Sequence, residues 1–113
     1  MYEVNTLAVA VVDRMLDHRD EVYASVARLI QGRESFARDL QTRGFRTLQS
    51  HGNFIHVDFG AAAARIHEAL GKVVLYRQTA AEACLRGFSR FSATTRERFQ
   101  PVIATIDTAL KRA

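Results

Sequence analysis

One short segment constrains the fold more than any other, because it carries a strand directly into a helix. Arg90-Phe91-Ser92-Ala93-Thr94-Thr95 alternates apolar and polar side chains with the period of two that is typical of a strand with one buried face. Thr94 is followed three residues later by Glu97, a capping-box pattern that begins a helix. We therefore predict a strand that leads into the last helix near Thr95. Because Arg90 stands on this strand, its guanidinium is fixed in a way that suits a carboxylate or phosphate.

The rest of the chain switches between helical and strand periodicity. We predict helices at about residues 6–17, 20–43, 61–70 and 95–111, strands at 45–49, 53–59, 72–77 and 88–93, and an irregular connection at 78–87. The order ααββαββα predicts an α+β fold in which helices cover a small, mostly antiparallel sheet. The first helix carries an apolar stripe and is expected to be largely buried.

Composition narrows the class of protein. The 113 residues are enough for one domain, and no apolar run approaches the roughly 18 residues of a membrane span. Cys84 is the only cysteine, which together with the lack of a signal peptide predicts a cytoplasmic protein. The net charge is +4, but the arginines are dispersed and form no nucleic-acid-binding motif. We therefore expect neither a membrane nor a nucleic acid as partner.

Four segments, in order, resemble the C-terminal part of fold-type I pyridoxal-phosphate aminotransferases, most of all histidinol-phosphate aminotransferases. Tyr2-Glu3-Val4-Asn5 resembles the Tyr-Asn-Val-Asn entry to the small domain, and His51 to Asp58 resembles its Ala-Asn-Phe strand. Val73 to Arg77 resembles the Gly-Ile-x-Val-Arg strand, and Arg90 to Thr95 resembles Arg-Ile-Ser-Val-Gly-Thr. The sequence departs from that last motif at Ala93-Thr94, where the family has an apolar residue and glycine.

The resemblance implies that residues 1–113 form the small domain of a longer enzyme. The complete enzyme would be a homodimeric aminotransferase of amino-acid biosynthesis that uses pyridoxal phosphate, held by a large domain absent here. The substrate is expected to be a small molecule with a carboxylate or phosphate. Arg90 would bind this acidic group with help from Arg77, and Asn5 and Asn53 would lie near the cleft. Without the resemblance, each arginine would be a surface ion pair, Asn5 a helix cap and Asn53 a turn residue.

The chemistry itself is expected to lie elsewhere. The cofactor needs a lysine for its Schiff base, and Lys72 and Lys111 do not match the family's motif. We predict that this chain alone holds no cofactor, contributes no catalytic residue and does not transaminate. The histidines lack metal-ligand spacing, Ser89 and Ser92 lack a hydrolase elbow, and Cys84 is expected to be a small buried hydrophobe.

Three alternatives remain open at this point. The first is a related fold-type I decarboxylase, similar to threonine-phosphate decarboxylase, whose small domain would have almost the same sequence pattern. The second is a free-standing binding module with a basic surface for nucleic acid, which would bind with a steep salt dependence. The third is a domain retained only for pairing with another subunit.

Overall fold

The computed structural model describes residues 4–111, so that the predicted contribution of Tyr2 and Glu3 lies outside the described part. It has four α-helices and one three-stranded sheet. The elements are α1 (Thr6–Asp17), α2 (Arg19–Gln41), β1 (Arg46–Leu48), β2 (Phe54–Asp58), a 3-10 turn (Gly60–Ala62), α3 (Ala63–Leu70), a second 3-10 turn (Ala83–Leu85), β3 (Phe88–Ser92) and α4 (Arg96–Lys111). The predicted α+β class with a small antiparallel sheet is confirmed.

The sheet has the order β1-β2-β3, with both pairs of neighbours antiparallel. Val57 lies opposite Thr47 on one side and Ser89 on the other, and Ile55 lies opposite Phe91. Residues that are paired in this way project from the same face of a sheet. This face is the core face, because Ile55, Val57 and Phe91 are buried.

Three helices cover the core face. Their buried side chains, with those of the sheet and the turn after β2, form one cluster: Phe36, Leu40, Ile55, Val57, Phe59, Ile66, Leu70, Phe91, Phe99, Val102, Ile106 and Ala109. At its centre the Phe36 ring stacks on Phe99 with centroids 4.0 Å apart and meets Phe91 edge-on at 5.4 Å. α2, α4 and β3 are therefore joined through aromatic side chains that the helical and strand periods had placed inward.

The start of α4 differs slightly from the expected capping box. The helix begins at Arg96, and the Thr95 carbonyl accepts the first helical hydrogen bond from the Phe99 N–H at 3.2 Å. The Glu97 carboxylate accepts hydrogen bonds from its own backbone N–H and from the Thr95 hydroxyl, which lower the pKa of Glu97. The residue directly before the helix is thus Thr95, whereas the predicted capping box placed Thr94 there.

The predicted strand at residues 72–77 is wrong. The N–H groups of Val73 and Val74 both donate to the Leu70 carbonyl, at 2.9 and 3.0 Å, which prolongs the turn after α3. Only Arg77 pairs with the sheet, as an isolated bridge to Arg90. The β-branched and aromatic side chains of this segment serve to pack against the core, as Val74 and Tyr76 do, and do not form a strand.

Several apolar side chains are also more exposed than their sequence patterns indicated. No residue of α1 is buried, and the apolar side chains of the first half of α2 are exposed or only partly buried. Cys84, expected to be a buried hydrophobe, is exposed on the second 3-10 turn. In each case the local sequence identified an apolar residue or stripe, but nothing in the described residues covers it.

Candidate anion-binding site on the open face of the sheet

The second face of the sheet carries polar and charged side chains, and we call it the open face. The register places on it the residues that alternate with the core positions: Arg46, Leu48, Phe54, His56, Asp58, Arg77, Phe88, Arg90 and Ser92. One row runs straight across the sheet, from Leu48 through His56 and Arg90 to Arg77. This row brings two guanidinium groups and an imidazole together.

Arg77 and Arg90 lie directly opposite each other and exchange two backbone hydrogen bonds. The Arg77 N–H donates to the Arg90 carbonyl at 3.0 Å, and the Arg90 N–H donates to the Arg77 carbonyl at 2.7 Å. Such a pair holds its Cα atoms about 5.5 Å apart, and like charges on directly opposite residues are unfavourable. Both side chains are exposed, and neither forms an ion pair within residues 4–111. An anion between them would relieve this repulsion and accept hydrogen bonds from both.

An aromatic ring supports Arg90 from one side. The Arg90 guanidinium carbon lies 5.7 Å from the centroid of the Phe54 ring, within the range of a cation–π contact. The Phe54 ring also meets the His56 ring edge-on at 5.3 Å. Phe54 therefore limits the rotation of the Arg90 side chain, which lowers the entropy lost when an anion binds.

Two residues of α2 fix the ends of β2 and β3 beside this row. The Arg33 guanidinium, which is 9% exposed, donates to the Gly52 carbonyl at 2.6 Å. Next to it, Gly32 lies so close to the Thr94 carbonyl that a Cβ on Gly32 would be 1.9 Å from that oxygen. The Asn53 carbonyl accepts from the Ala93 N–H at 2.6 Å and ties the two strand ends together. No local sequence pattern indicated that Gly32 and Arg33 support these strand ends, because their contacts are with residues distant in sequence.

The four predicted site residues do not all come together. Arg77 and Arg90 are paired, and Asn53 lies at the end of β2 that is bonded to the end of β3. Asn5 instead caps α1, its side-chain oxygen accepting from the Ala8 N–H at 2.8 Å, and α1 packs mainly against α2. The helix-cap interpretation of Asn5 thus agrees with the structure, whereas an ion pair for either arginine is not found in the described residues.

Other kinds of site find no support in the described part of the chain. Residues 4–111 contain no group of three or more histidine, cysteine, aspartate or glutamate side chains that could hold a metal ion. No helix in that range is long and apolar enough to cross a membrane.

The aminotransferase class I and II family model matches residues 3–106, and the chain therefore belongs to that family. Histidinol-phosphate aminotransferase of Mycobacterium sp. (strain JLS) is 36% identical over 86 residues, which cover 75% of this chain and 23% of that protein. Histidinol-phosphate aminotransferase 1 of Carboxydothermus hydrogenoformans is 29% identical over 69 residues, or 61% of this chain and 20% of that protein. The chain thus spans less than a quarter of the length of these curated relatives.

A solved structure has the same fold. It is that of a candidate aminotransferase from Burkholderia pseudomallei K96243, with a TM-score of 0.77 and 23% sequence identity. The superposition covers 96% of this chain and 34% of the other. The α+β arrangement described here therefore also occurs as part of that longer chain.

Enzymes of this family generally use pyridoxal phosphate, which is held by a lysine. Lys72 lines a groove between α3 and α4 on the helical side of the sheet, and Lys111 is the last residue of α4. Neither lysine lies on the open face with Arg77 and Arg90.

Proposed function

We propose that this chain is the small, substrate-binding domain of a pyridoxal-phosphate aminotransferase similar to the histidinol-phosphate enzymes. In this proposal Arg90, assisted by Arg77, binds the acidic group of the substrate, a phosphate or a carboxylate. The observation that carries the proposal is the cross-strand pairing of two exposed arginines that have no acidic partner in residues 4–111. By holding the acidic group, the pair would orient the substrate amine towards a cofactor bound by the rest of the enzyme.

The proposal includes a large cofactor-binding domain as partner and a homodimer of the complete enzyme. The exposed apolar side chains of α1 support this, since an amphipathic helix owes most of its stability to burial of its apolar face. Leu7, Val11, Val12, Met15 and Leu16 are all exposed by about half or more. The lack of a lysine near the arginines supports the further proposal that the chain alone does not transaminate.

The binding step can be tested on the chain itself. We expect inorganic phosphate to shift the NMR resonances of Arg90 and Arg77. Arg90→Gln should weaken phosphate binding about tenfold, because it removes one pair of charge-assisted hydrogen bonds. Arg65→Gln is the matched control, because Arg65 is an exposed arginine on α3, and it should change the affinity less than about twofold. Equal effects of the two substitutions would contradict the proposed site.

The catalytic context requires a different measurement. Sequencing the reading frame upstream of this segment should reveal a lysine-bearing pyridoxal-phosphate motif, and Arg90→Ala in that longer protein should raise KM for the acidic substrate. A related decarboxylase would share the arginine pair, so product analysis with the complete protein is needed to distinguish the two reactions.

The two remaining alternatives have less support. Arg65 lies on α3, Arg86 directly follows the second 3-10 turn, and Arg96 and Arg98 lie on α4. This dispersion predicts only weak, unspecific binding of nucleic acid. A role in subunit pairing alone would not explain why two exposed arginines lie opposite each other without an acidic partner in residues 4–111. Sizing chromatography of the chain mixed with a candidate subunit tests that role directly.

A further inference from the structure

We propose that His56 is a third, proton-dependent member of the anion site formed by Arg90 and Arg77, so that a dianion bound there also takes up one proton on the His56 ring. This inference rests on the proposed function and adds to it a preference for a doubly charged group over a carboxylate. Two arginines and a protonated histidine provide three positive charges, which match a phosphate monoester better than a singly charged carboxylate.

The backbone geometry brings His56 close to Arg90. Arg90 directs both its N–H and its carbonyl towards Arg77, so its pair with His56 on the other side is of the non-hydrogen-bonded kind. In such pairs the Cα atoms lie about 4.5 Å apart and the side chains are closer than in the bonded kind. The imidazole and the guanidinium therefore stand side by side on the open face.

The surroundings of the imidazole leave it available to a ligand. Its ring contacts Phe54, and its nitrogens have no hydrogen-bond partner among residues 4–111. His67 differs in this respect, since its Nδ1 lies 2.5 Å from the Tyr76 hydroxyl. Of these two half-buried histidines, only His56 can offer a new N–H to an anion on the open face.

The surroundings of His56 disfavour its protonated form in the free protein. Burial lowers the pKa of His56, the neighbouring Arg90 charge lowers it further, and Glu82 on the connection before β3 opposes both. Arg77 is the next residue in the same row beyond Arg90. Two positions away along β2, the Asp58 carboxylate accepts from the Gly60 N–H, and Arg46 on β1 lies over the Phe88 ring.

A bound dianion reverses the balance of charge. It offsets the effect of Arg90 and attracts a proton, so the pKa of His56 is higher in the complex than in the free protein. Binding is then strongest below the pKa of free His56 and weakens as the pH rises through the pKa of the complex. We expect about three- to tenfold weaker binding at about pH 8 than at about pH 5.5, as for opposite charges about 5 Å apart that are screened almost as strongly as in bulk water.

Sulfate is the probe that tests this inference, because it stays a dianion over the whole pH range whereas phosphate titrates. The chain, with histidine side chains labelled for NMR, is titrated with acid in the absence and presence of saturating sulfate. The pKa of His56 should rise with sulfate, whereas that of His67 should not move, which makes His67 an internal control. Arg90→Gln should raise the pKa of His56 without sulfate and remove most of the sulfate effect.

The variants separate this inference from the proposed function. His56→Gln should retain sulfate binding but lose its pH dependence, and acetate should bind more weakly than sulfate and with less pH dependence. If sulfate perturbs Arg77 and Arg90 while the pKa of His56 stays fixed, His56 is not part of the site and the arginine pair still stands. If sulfate does not bind to the folded chain at all, both the pair and the role of His56 are wrong.

Discussion

At the scale of one residue, Gly32 shows how a tertiary contact can outweigh the intrinsic helix propensity of an amino acid. It lies inside α2, where replacing glycine by alanine would normally stabilise a helix by about 1 kcal/mol. In this fold, however, the missing side chain lets α2 approach the backbone at Thr94 and Thr95, directly after the strand that carries Arg90. The space is filled by backbone atoms, which cannot rotate away as a flexible side chain could.

We therefore expect Gly32→Ala to destabilise the protein, although helix propensity alone predicts that it would stabilise it. The substitution should lower the free energy of unfolding by about 2–4 kcal/mol, since α2 or the segment after β3 must shift. Urea denaturation measures this change. Gly71→Ala is a matched control, because Gly71 has a helical φ of −57° and the closest atom to an added Cβ is 3.3 Å away. A stabilised Gly32→Ala variant would show that the close approach is absent in solution.

At the scale of elements, a side-chain pair connects the end of α2 to α4. Arg43, two residues past the end of α2, donates from Nε to Asp107 Oδ1 at 2.6 Å and from a terminal nitrogen to Oδ2 at 2.8 Å. The hydrogen bonds from Arg43 hold the pKa of Asp107 below its usual range. The pair joins residues 64 positions apart, which explains why no local pattern indicated it.

We expect Asp107→Asn to cost about 1 kcal/mol of unfolding free energy near neutral pH, the upper end for a pair that solvent partly screens. Because the folded state lowers the pKa of Asp107, this stabilisation is present above the ordinary aspartate value, about 3.9, and is lost as the pH falls through the lower folded value. Thermal unfolding of wild type and variant across this range tests the expectation. Asp13→Asn, on exposed α1, is the control and should change the free energy of unfolding by less than about 0.5 kcal/mol.

The elements differ in how far their own sequence determined them. β2, β3, α3 and α4 were predicted to within a few residues, because their periodicity, glycines and capping residues act within a few positions. The segment at 72–77 has strand composition but becomes a turn and one bridge, since its first N–H groups are taken by the Leu70 carbonyl. Which backbone groups pair is a tertiary property, and composition alone does not decide it.

At the scale of the whole molecule, the shape itself exposes an apolar surface. The described residues measure 52 × 31 × 26 Å, and the 23-residue helix α2 extends beyond the core to pair with α1. The groove between these two helices is lined by residues such as Val11, Met15, Val22 and Val26. Exposed apolar surfaces of this kind are found at interaction sites, in ligand-binding grooves and on surfaces prone to aggregation.

Two valine substitutions test whether this surface is exposed in solution. Val12 on α1 is 56% exposed and Val57 in the core is fully buried, so Val12→Ala and Val57→Ala remove the same atoms from opposite environments. We expect Val57→Ala to cost about 2–3 kcal/mol of unfolding free energy and Val12→Ala less than about 0.5 kcal/mol. Denaturation at several protein concentrations provides the measurement. A large, concentration-dependent cost for Val12→Ala would indicate that copies of the chain cover α1.

The sequence by itself determined the α+β class, most element positions and the alternation that places Arg90 opposite the core side of β3, because these depend on neighbours a few residues apart. It also contained the motifs whose resemblance pointed to the aminotransferase family. Only the tertiary structure decided that Arg77 reaches the sheet by a single bridge, that His56 stands beside Arg90, and that Gly32 and Arg33 support both strand ends. It also decided that α1 stays uncovered within the described residues. These features depend on strand register and on contacts between segments that are distant in sequence. Such contacts can stabilise the fold only after the chain has met the entropy cost of bringing those segments together.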